Sequence, residues 1–151
     1  MACLLKGGGG LYNRLSLGAV VLAAGQGSRL GNRPKSLIEL AGIPLIRRQL
    51  IALSGAGVDQ LVVVLGHYAS QIRPFIEDFP ITVVDLSDYP EASQKLSVQR
   101  GVSALQGKFD AVLVVPSDMP LLGTADYTDL IGAYKKRPEG ARMVRPMVSE
   151  A

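Results

Sequence analysis

At 151 residues, with 48% apolar and 19% charged residues, the chain is long enough to bury one sizeable core and too apolar to be disordered. Its net charge of +3 comes from scattered cations such as Arg47, Arg48, Arg100 and Arg142, which argues for an anionic small substrate and against nucleic acid. One cysteine, Cys3, excludes an internal disulfide or a cysteine metal cluster and points to a reducing, cytoplasmic compartment.

In chain order, residues 1–17, with the run Gly7-Gly8-Gly9-Gly10, read as a flexible leader or fusion remnant before a single domain over 18–151. Lys6 and Arg14 precede a ten-residue apolar run, Leu15 to Ala24, of the length of a signal-peptide h-region. Cleavage there would destroy the strand and loop that follow, so secretion is the poorer reading. No run reaches the roughly 18 apolar residues of a membrane span, and no membrane partner is expected.

Ala19–Ala24 is apolar, partly β-branched and too short for a lone helix, which predicts a buried strand. It empties into a loop holding Gly25, Gly27 and Gly31, where main-chain N–H groups can approach an anion. Arg29 adds a planar fork of donors and Lys35 a compact point charge, while Pro34 biases Arg33 toward extended backbone and helps aim Lys35. The loop suits a polyphosphate. It fits neither G-x-G-x-x-G, because the third glycine comes one residue late, nor a Walker A loop, because no Gly-Lys-Ser/Thr follows. The plainer alternative is an ordinary strand-to-helix turn with two surface cations.

A helix is predicted near Pro44–Ala56, with proline in its first turn and Gly57 past its end. Strands follow at Gln60–Leu65, Ile81–Leu86, Asp110–Val115 and Ala141–Pro146, alternating with helices near Ala69–Asp78, Ser93–Gln106 and Thr124–Lys136. That rhythm predicts a parallel sheet covered by helices through right-handed crossovers, an α/β fold. His67, the sole histidine, falls on a loop and is assigned no role. In the third helix Leu96, Val98, Val102 and Leu105 recur at core spacing. This leaves Ser97, as a helix cap or a ligand contact, and Lys95 as the functional candidates. Asp118 lies just beyond the Asp110–Val115 strand, where open parallel sheets place ligands, and is either a metal carboxylate or a turn or cap residue before Met119-Pro120.

Three stretches together resemble the nucleotidyltransferase superfamily. They are Leu22-Ala23-Ala24-Gly25-Gln26-Gly27-Ser28-Arg29-Leu30-Gly31 with Pro34-Lys35, then Ser97-Val98-Gln99-Arg100-Gly101-Val102-Ser103-Ala104-Leu105, then Pro116-Ser117-Asp118-Met119-Pro120-Leu121. The second is similar to the S-L-x-x-G-x-x-A-L helix of the molybdenum-cofactor cytidylyltransferases and to the S-V-x-x-G-L helix of the isoprenoid-precursor branch. That latter branch carries an arginine where this chain has Gln94. Ser117 stands where the superfamily's G-D-x-P-L motif has glycine.

The resemblance implies a Rossmann-like three-layer sandwich of the nucleotide-diphospho-sugar transferase type, with a mostly parallel sheet. It implies transfer of a nucleotidyl group, CMP from CTP first, onto a phosphate-bearing acceptor such as molybdopterin, with pyrophosphate release and Mg²⁺ as cofactor. Leu22, Ala23, Ala24, Gly25, Gly27, Ser28 and Ser97 would bind the nucleotide. Arg29 and Lys35 would do so as catalytic cations, and Asp118 would hold Mg²⁺. Ala24, where guanylyl-transferring relatives often have glycine, favours a pyrimidine. The alternatives are transfer to a sugar 1-phosphate or a methylerythritol phosphate, or nucleotide binding without turnover. Members of the superfamily continue into a G-H-P-type loop and a later aspartate, so the sequence reads as their donor half.

Overall fold

Apolar runs with no polar alternation need a sheet covered on both faces, and the computed structural model of the chain shows one. It describes residues 3–6, 15–25, 29–30, 33–89, 91–118 and 122–145. In chain order these form β1 (Cys3–Lys6), β2 (Leu17–Ala23), β3 (Arg29–Leu30), β4 (Arg33–Pro34), a 3-10 turn at Lys35–Leu37, β5 (Glu39–Leu40), β6 (Ile43–Pro44) and α1 (Leu45–Gly55). There follow β7 (Gln60–Leu65), α2 (Ala69–Ile72) with a 3-10 turn at Arg73–Phe75, β8 (Thr82–Asp85), α3 (Gln94–Ser103), β9 (Ala111–Pro116), α4 (Thr124–Lys135) and β10 (Met143–Val144).

The main sheet has the order β10-β1-β9-β2-β7-β8. β2 is its centre and pairs in parallel with β7 and β9, Val20 standing opposite both Val62 and Val114. Ala19, Val21 and Ala23 face a core built with Ile46, Leu50 and Leu53 of α1 and Tyr127 and Ile131 of α4. Val20, Val62, Val64, Val112 and Val114 form the opposite face, against which Val98 of α3 packs. The result is the expected three-layer α/β sandwich. α3 lies so close to the sheet that a Cβ on Gly101 would collide with the Val20 side chain.

Two aspartates fix where β2 begins. Asp59, ahead of β7, accepts the Leu17 N–H at 2.9 Å. Asp110, ahead of β9, accepts the Ser16 N–H at 2.8 Å, and the Asp110 N–H donates back to the Ser16 hydroxyl at 2.9 Å. The entry to the central strand is thereby tied to both neighbours, and its register sets where its far end emerges.

Several expectations are corrected. Cys3–Lys6, inside the stretch expected to be flexible, form β1, antiparallel to β9 from Cys3 opposite Val114 to Lys6 opposite Ala111. β9 would otherwise present a row of unpaired main-chain groups, and β1 supplies their partners. Gly7–Gly10 lie outside the described residues. The helix expected over Ala69–Asp78 stops at Ile72 because Pro74 has no N–H and its ring crowds the preceding turn. The last strand contracts from Ala141–Pro146 to Met143–Val144 and pairs antiparallel with β1 instead of joining the parallel block. β3 with β4, and β5 with β6, are antiparallel pairs of two-residue strands that no periodicity announces.

Candidate nucleotide site

The parallel strands β2, β7, β8 and β9 all end at one edge of the sheet, and the segments leaving them enclose two adjoining clefts. The main cleft, about 240 Å³, is lined by Leu22, Ala23, Ala24 and Gly25 from the end of β2 and by Pro34 and Ser36 from the segment after the glycine loop. Tyr68, just before α2, and Ile72 within it line the cleft, with Ala92 ahead of α3, Gln94 and Ser97 in its first turn, and Pro116, Ser117 and Asp118 from the end of β9. A side cleft of about 360 Å³ lies against Ala24, Gly25, Gly66, His67, Leu86, Ser87, Tyr89, Glu91 and Ala92. The two meet at Ala24, Gly25 and Ala92.

The seam between β2 and its neighbours shapes this edge. The Ser117 N–H donates to the Leu22 carbonyl at 3.0 Å, which carries the β2–β9 pairing one residue beyond the strands. On the other side Gly66 sits so near that a Cβ there would come within 2.6 Å of the Ala24 carbonyl oxygen. Leu22 to Gly25 are thus clamped between the exits of β7 and β9.

The structure brings six sequence-predicted residues to one cleft: Leu22, Ala23, Ala24, Gly25, Ser97 and Asp118. Lys35 does not line it, although Pro34 and Ser36 on either side do. Arg29 is placed by its backbone, opposite Pro34 across the β3–β4 pair. Gly27 and Ser28 lie outside the described residues. The first residue of α3 is Gln94, and its cap is Ser93, whose hydroxyl accepts the Leu96 N–H at 3.1 Å. Ser97 is therefore not the cap. It is buried, and its hydroxyl donates to the Ser93 carbonyl at 3.2 Å, which leaves its lone pairs free to accept from the cleft.

Asp118 is half-buried at the exit of β9 and does not cap α4, whose first turn is closed by the Gly123 N–H donating to Asp126 at 2.8 Å. Among the described lining residues it is the sole charged group of the main cleft. No group of three or more His, Cys, Asp or Glu side chains among the described residues could hold a metal. A lone carboxylate does not make a resident metal cage. It does fit Mg²⁺ carried on a triphosphate, because that ion keeps several waters and needs only one or two carboxylates besides phosphate oxygens. Asp85 is engaged elsewhere, accepting the Ser87 N–H at 2.9 Å and an Arg73 guanidinium hydrogen at 2.8 Å, and the Ser87 hydrogen bonds, followed by Arg73, hold its pKa below the usual carboxylate range.

Sequence reasoning did not single out Ser36, Tyr68, Ile72 or Gln94 as cleft residues. No local pattern marks them, since tertiary packing alone turns them toward the cleft. The MobA-like NTP transferase domain matches residues 19–150. The chain belongs to this family. It is 31% identical over 138 residues to the bifunctional protein GlmU of Bifidobacterium adolescentis, covering 87% of this chain and 30% of that protein. A nucleotidyl transferase from Methanothermobacter superposes with a TM-score of 0.69 at 31% identity, over 78% of this chain and 57% of that one. Rv0371c from Mycobacterium tuberculosis gives a TM-score of 0.69 at 25% identity, over 83% and 63%, and has also been solved as a complex with manganese. The chain spans less than a third of the GlmU protein it matches. Among the described residues no helix is long and apolar enough to cross a membrane.

Proposed function

We propose that this MobA-like domain transfers a nucleotidyl group from a nucleoside triphosphate onto a phosphate of a small acceptor, releasing pyrophosphate. The observation that carries it is the meeting of the Leu22–Gly25 exit and Asp118 in one cleft at the carboxyl edge of a parallel sheet. CTP is the favoured donor and a molybdopterin-type acceptor the favoured partner, on the likeness of the Ser97–Leu105 helix to the molybdenum-cofactor branch. A sugar 1-phosphate or a methylerythritol phosphate acceptor is the alternative.

The residues act by position and charge. The backbone from Leu22 to Gly25 borders the base and ribose, while Arg29 and Lys35 serve the triphosphate. Asp118 would hold the divalent ion that accompanies the triphosphate, and that ion, when bound, neutralises phosphate charge. In-line attack by the acceptor phosphate on the α-phosphorus forms one P–O bond as the bond to pyrophosphate breaks. No side-chain nucleophile is required, so orientation and electrostatics carry the rate.

The test is pyrophosphate release with a panel of triphosphates and phosphorylated acceptors, together with calorimetric binding. Nucleotide affinity is expected to rise with Mg²⁺ in the parent and to lose most of that rise in Asp118→Asn, which keeps the shape of a turn residue but not its charge. Lys35→Ala is expected to weaken triphosphate binding at least tenfold, since a hydrogen bond to a charged group contributes about 1.5–3 kcal/mol. An Asp118→Asn variant that responds to Mg²⁺ like the parent would overturn the metal role. Mg²⁺-dependent binding with turnover near background would instead favour nucleotide binding without catalysis, the reading to which a single carboxylate in the cleft also lends support.

A further inference from the structure

The positive charge of the chain is not evenly spread. Arg47, Arg48 and Arg100 are scattered, but Lys135, Lys136, Arg137, Arg142 and Arg145 fall within eleven residues that hold a single acid, Glu139. The rest of the sequence carries one more acidic than basic residue, so the whole +3 excess resides in this stretch.

The fold gathers these residues at one corner, away from the nucleotide cleft. Met143 stands opposite Leu5, which stands opposite Val112 near the start of β9, whereas the cleft lies at the far end of that strand. Arg137 turns the chain from α4 toward β10. Its guanidinium donates to the Tyr134 and Ala141 carbonyls, both at 2.9 Å, and lies 3.9 Å over the Tyr134 ring, so this cation is spent on the fold. Lys135, Lys136, Arg142 and Arg145 are exposed, and the described ion pairs, Arg47–Asp78 and Arg73–Asp85, involve none of them. From Arg137 to Arg142 the loop borders an open cavity of about 400 Å³. Beside it Met143 is 54% exposed, more than any other large apolar side chain among the described residues.

Like charges crowded on a surface repel one another, and one or two would suffice to complement the α4 dipole or to guard the edge strand β10. Four exposed cations beside an exposed methionine instead fit an anionic partner that brings apolar side chains of its own. A protein segment rich in Asp and Glu has that chemistry. Nucleic acid fits less well, because the cluster is confined to one corner and no aromatic residue occurs from 135 to 145 on which bases could stack.

We propose that the corner formed by Lys135, Lys136, Arg142, Arg145 and Met143 is a docking site for an acidic segment of a partner protein. Carboxylates of the segment meet the four cations, and an apolar side chain meets Met143. This site stands apart from the nucleotidyltransferase reading, since it lies at the opposite edge of the sheet from the cleft.

Binding to the full chain is measured by fluorescence anisotropy for a labelled polyglutamate peptide, the same peptide with interspersed leucines and a single-stranded oligonucleotide, and by co-sedimentation for phosphatidylserine vesicles. The leucine-bearing peptide is expected to bind most tightly, with an affinity that falls as salt rises. Replacing Lys135, Lys136, Arg142 and Arg145 together with glutamine should weaken it about tenfold or more, and Met143→Ala should weaken this peptide alone by about two- to fivefold. Arg48→Glu with Arg100→Glu changes the net charge equally from elsewhere on the surface and should leave binding within about twofold. An equal loss in that control, no loss in the glutamine variant, or no peptide binding at all would overturn the proposal, as would tighter binding of the oligonucleotide or the vesicles. Unchanged melting temperature is the control for folding, and Arg142→Gln with Arg145→Gln replaces the fourfold variant should it melt early.

Discussion

Single atoms set the limits of the site at Gly66. A methyl group there would press on the Ala24 carbonyl at 2.6 Å, and backbone cannot swing aside as a side-chain end can. Gly66→Ala is expected to lower stability by about 1–3 kcal/mol and, by displacing Ala24 and Gly25, to weaken nucleotide binding as well. Gly132→Ala is the matched control, since nothing lies within 4 Å of the added carbon and alanine is the better helix former, so thermal unfolding should show a gain of about 0.5–1 kcal/mol. Tyr127 gives a pH signature at the same scale. Its hydroxyl donates to the buried Gln49 side chain, and burial first, then the nearby Asp126 charge, raises its pKa well above the ordinary 10.0. The folded state therefore holds a proton that the unfolded state releases above pH 10. Stability should be level below that point and fall as pH rises beyond it, by up to about 1.4 kcal/mol per pH unit. Denaturant titrations between pH 8 and pH 12 would show this slope, and Tyr127→Phe should reduce it, leaving the share of Tyr134, which burial also raises, while lowering stability at neutral pH through the lost hydrogen bond.

Among the elements, the β5–β6 hairpin carries a visible flaw. Its two-residue turn has Ala41 at φ 53° and Gly42 at φ 80°, the pair of left-handed residues that such a turn requires, and alanine is poorly suited to the first place. Ala41→Asn is expected to stabilise the fold by up to about 1 kcal/mol, read as a higher denaturant midpoint at unchanged slope. The same turn shows why some elements were illegible in the sequence. β2, β7, β9, α1, α3 and α4 were expected within a residue or three of where they lie, because a run of six or more residues shows either unbroken apolar character or a helical period. Two-residue strands carry none, and Ala-Gly is a weak turn signal beside Asn-Gly. Pro74, which ends α2, is visible in the sequence, yet the helix was expected to run past it to Asp78. The site divides on the same lines. Asp118 and Leu22 to Gly25 could be placed because a strand end is readable, whereas Ser36, Tyr68, Ile72 and Gln94 became cleft residues only through the packing of segments distant in sequence.

Taken whole, the molecule is a parallel block of four strands with one reversed strand, β1, wedged between β9 and β10. Replacing Leu4 and Leu5 together with proline should remove the ladder donors of β1 and leave the edge of β9 open. Lower stability and concentration-dependent self-association, followed by sedimentation, are the expected outcomes. β10 pairs only with β1 in the sheet, so it should lose its protection in the same variant, and hydrogen exchange at Met143 and Val144 would report it. The wedge also orders events in time. During synthesis Leu4 of β1 is made well before its partners Leu113 and Val144, which lie far along the chain from it. β2, β7 and β8 can assemble on one another while β1 still waits, and closing so long a loop comes late because its entropy must be met before its contacts form. β1 is thus made ahead of the strands it pairs with and joins the sheet after β2, β7 and β8.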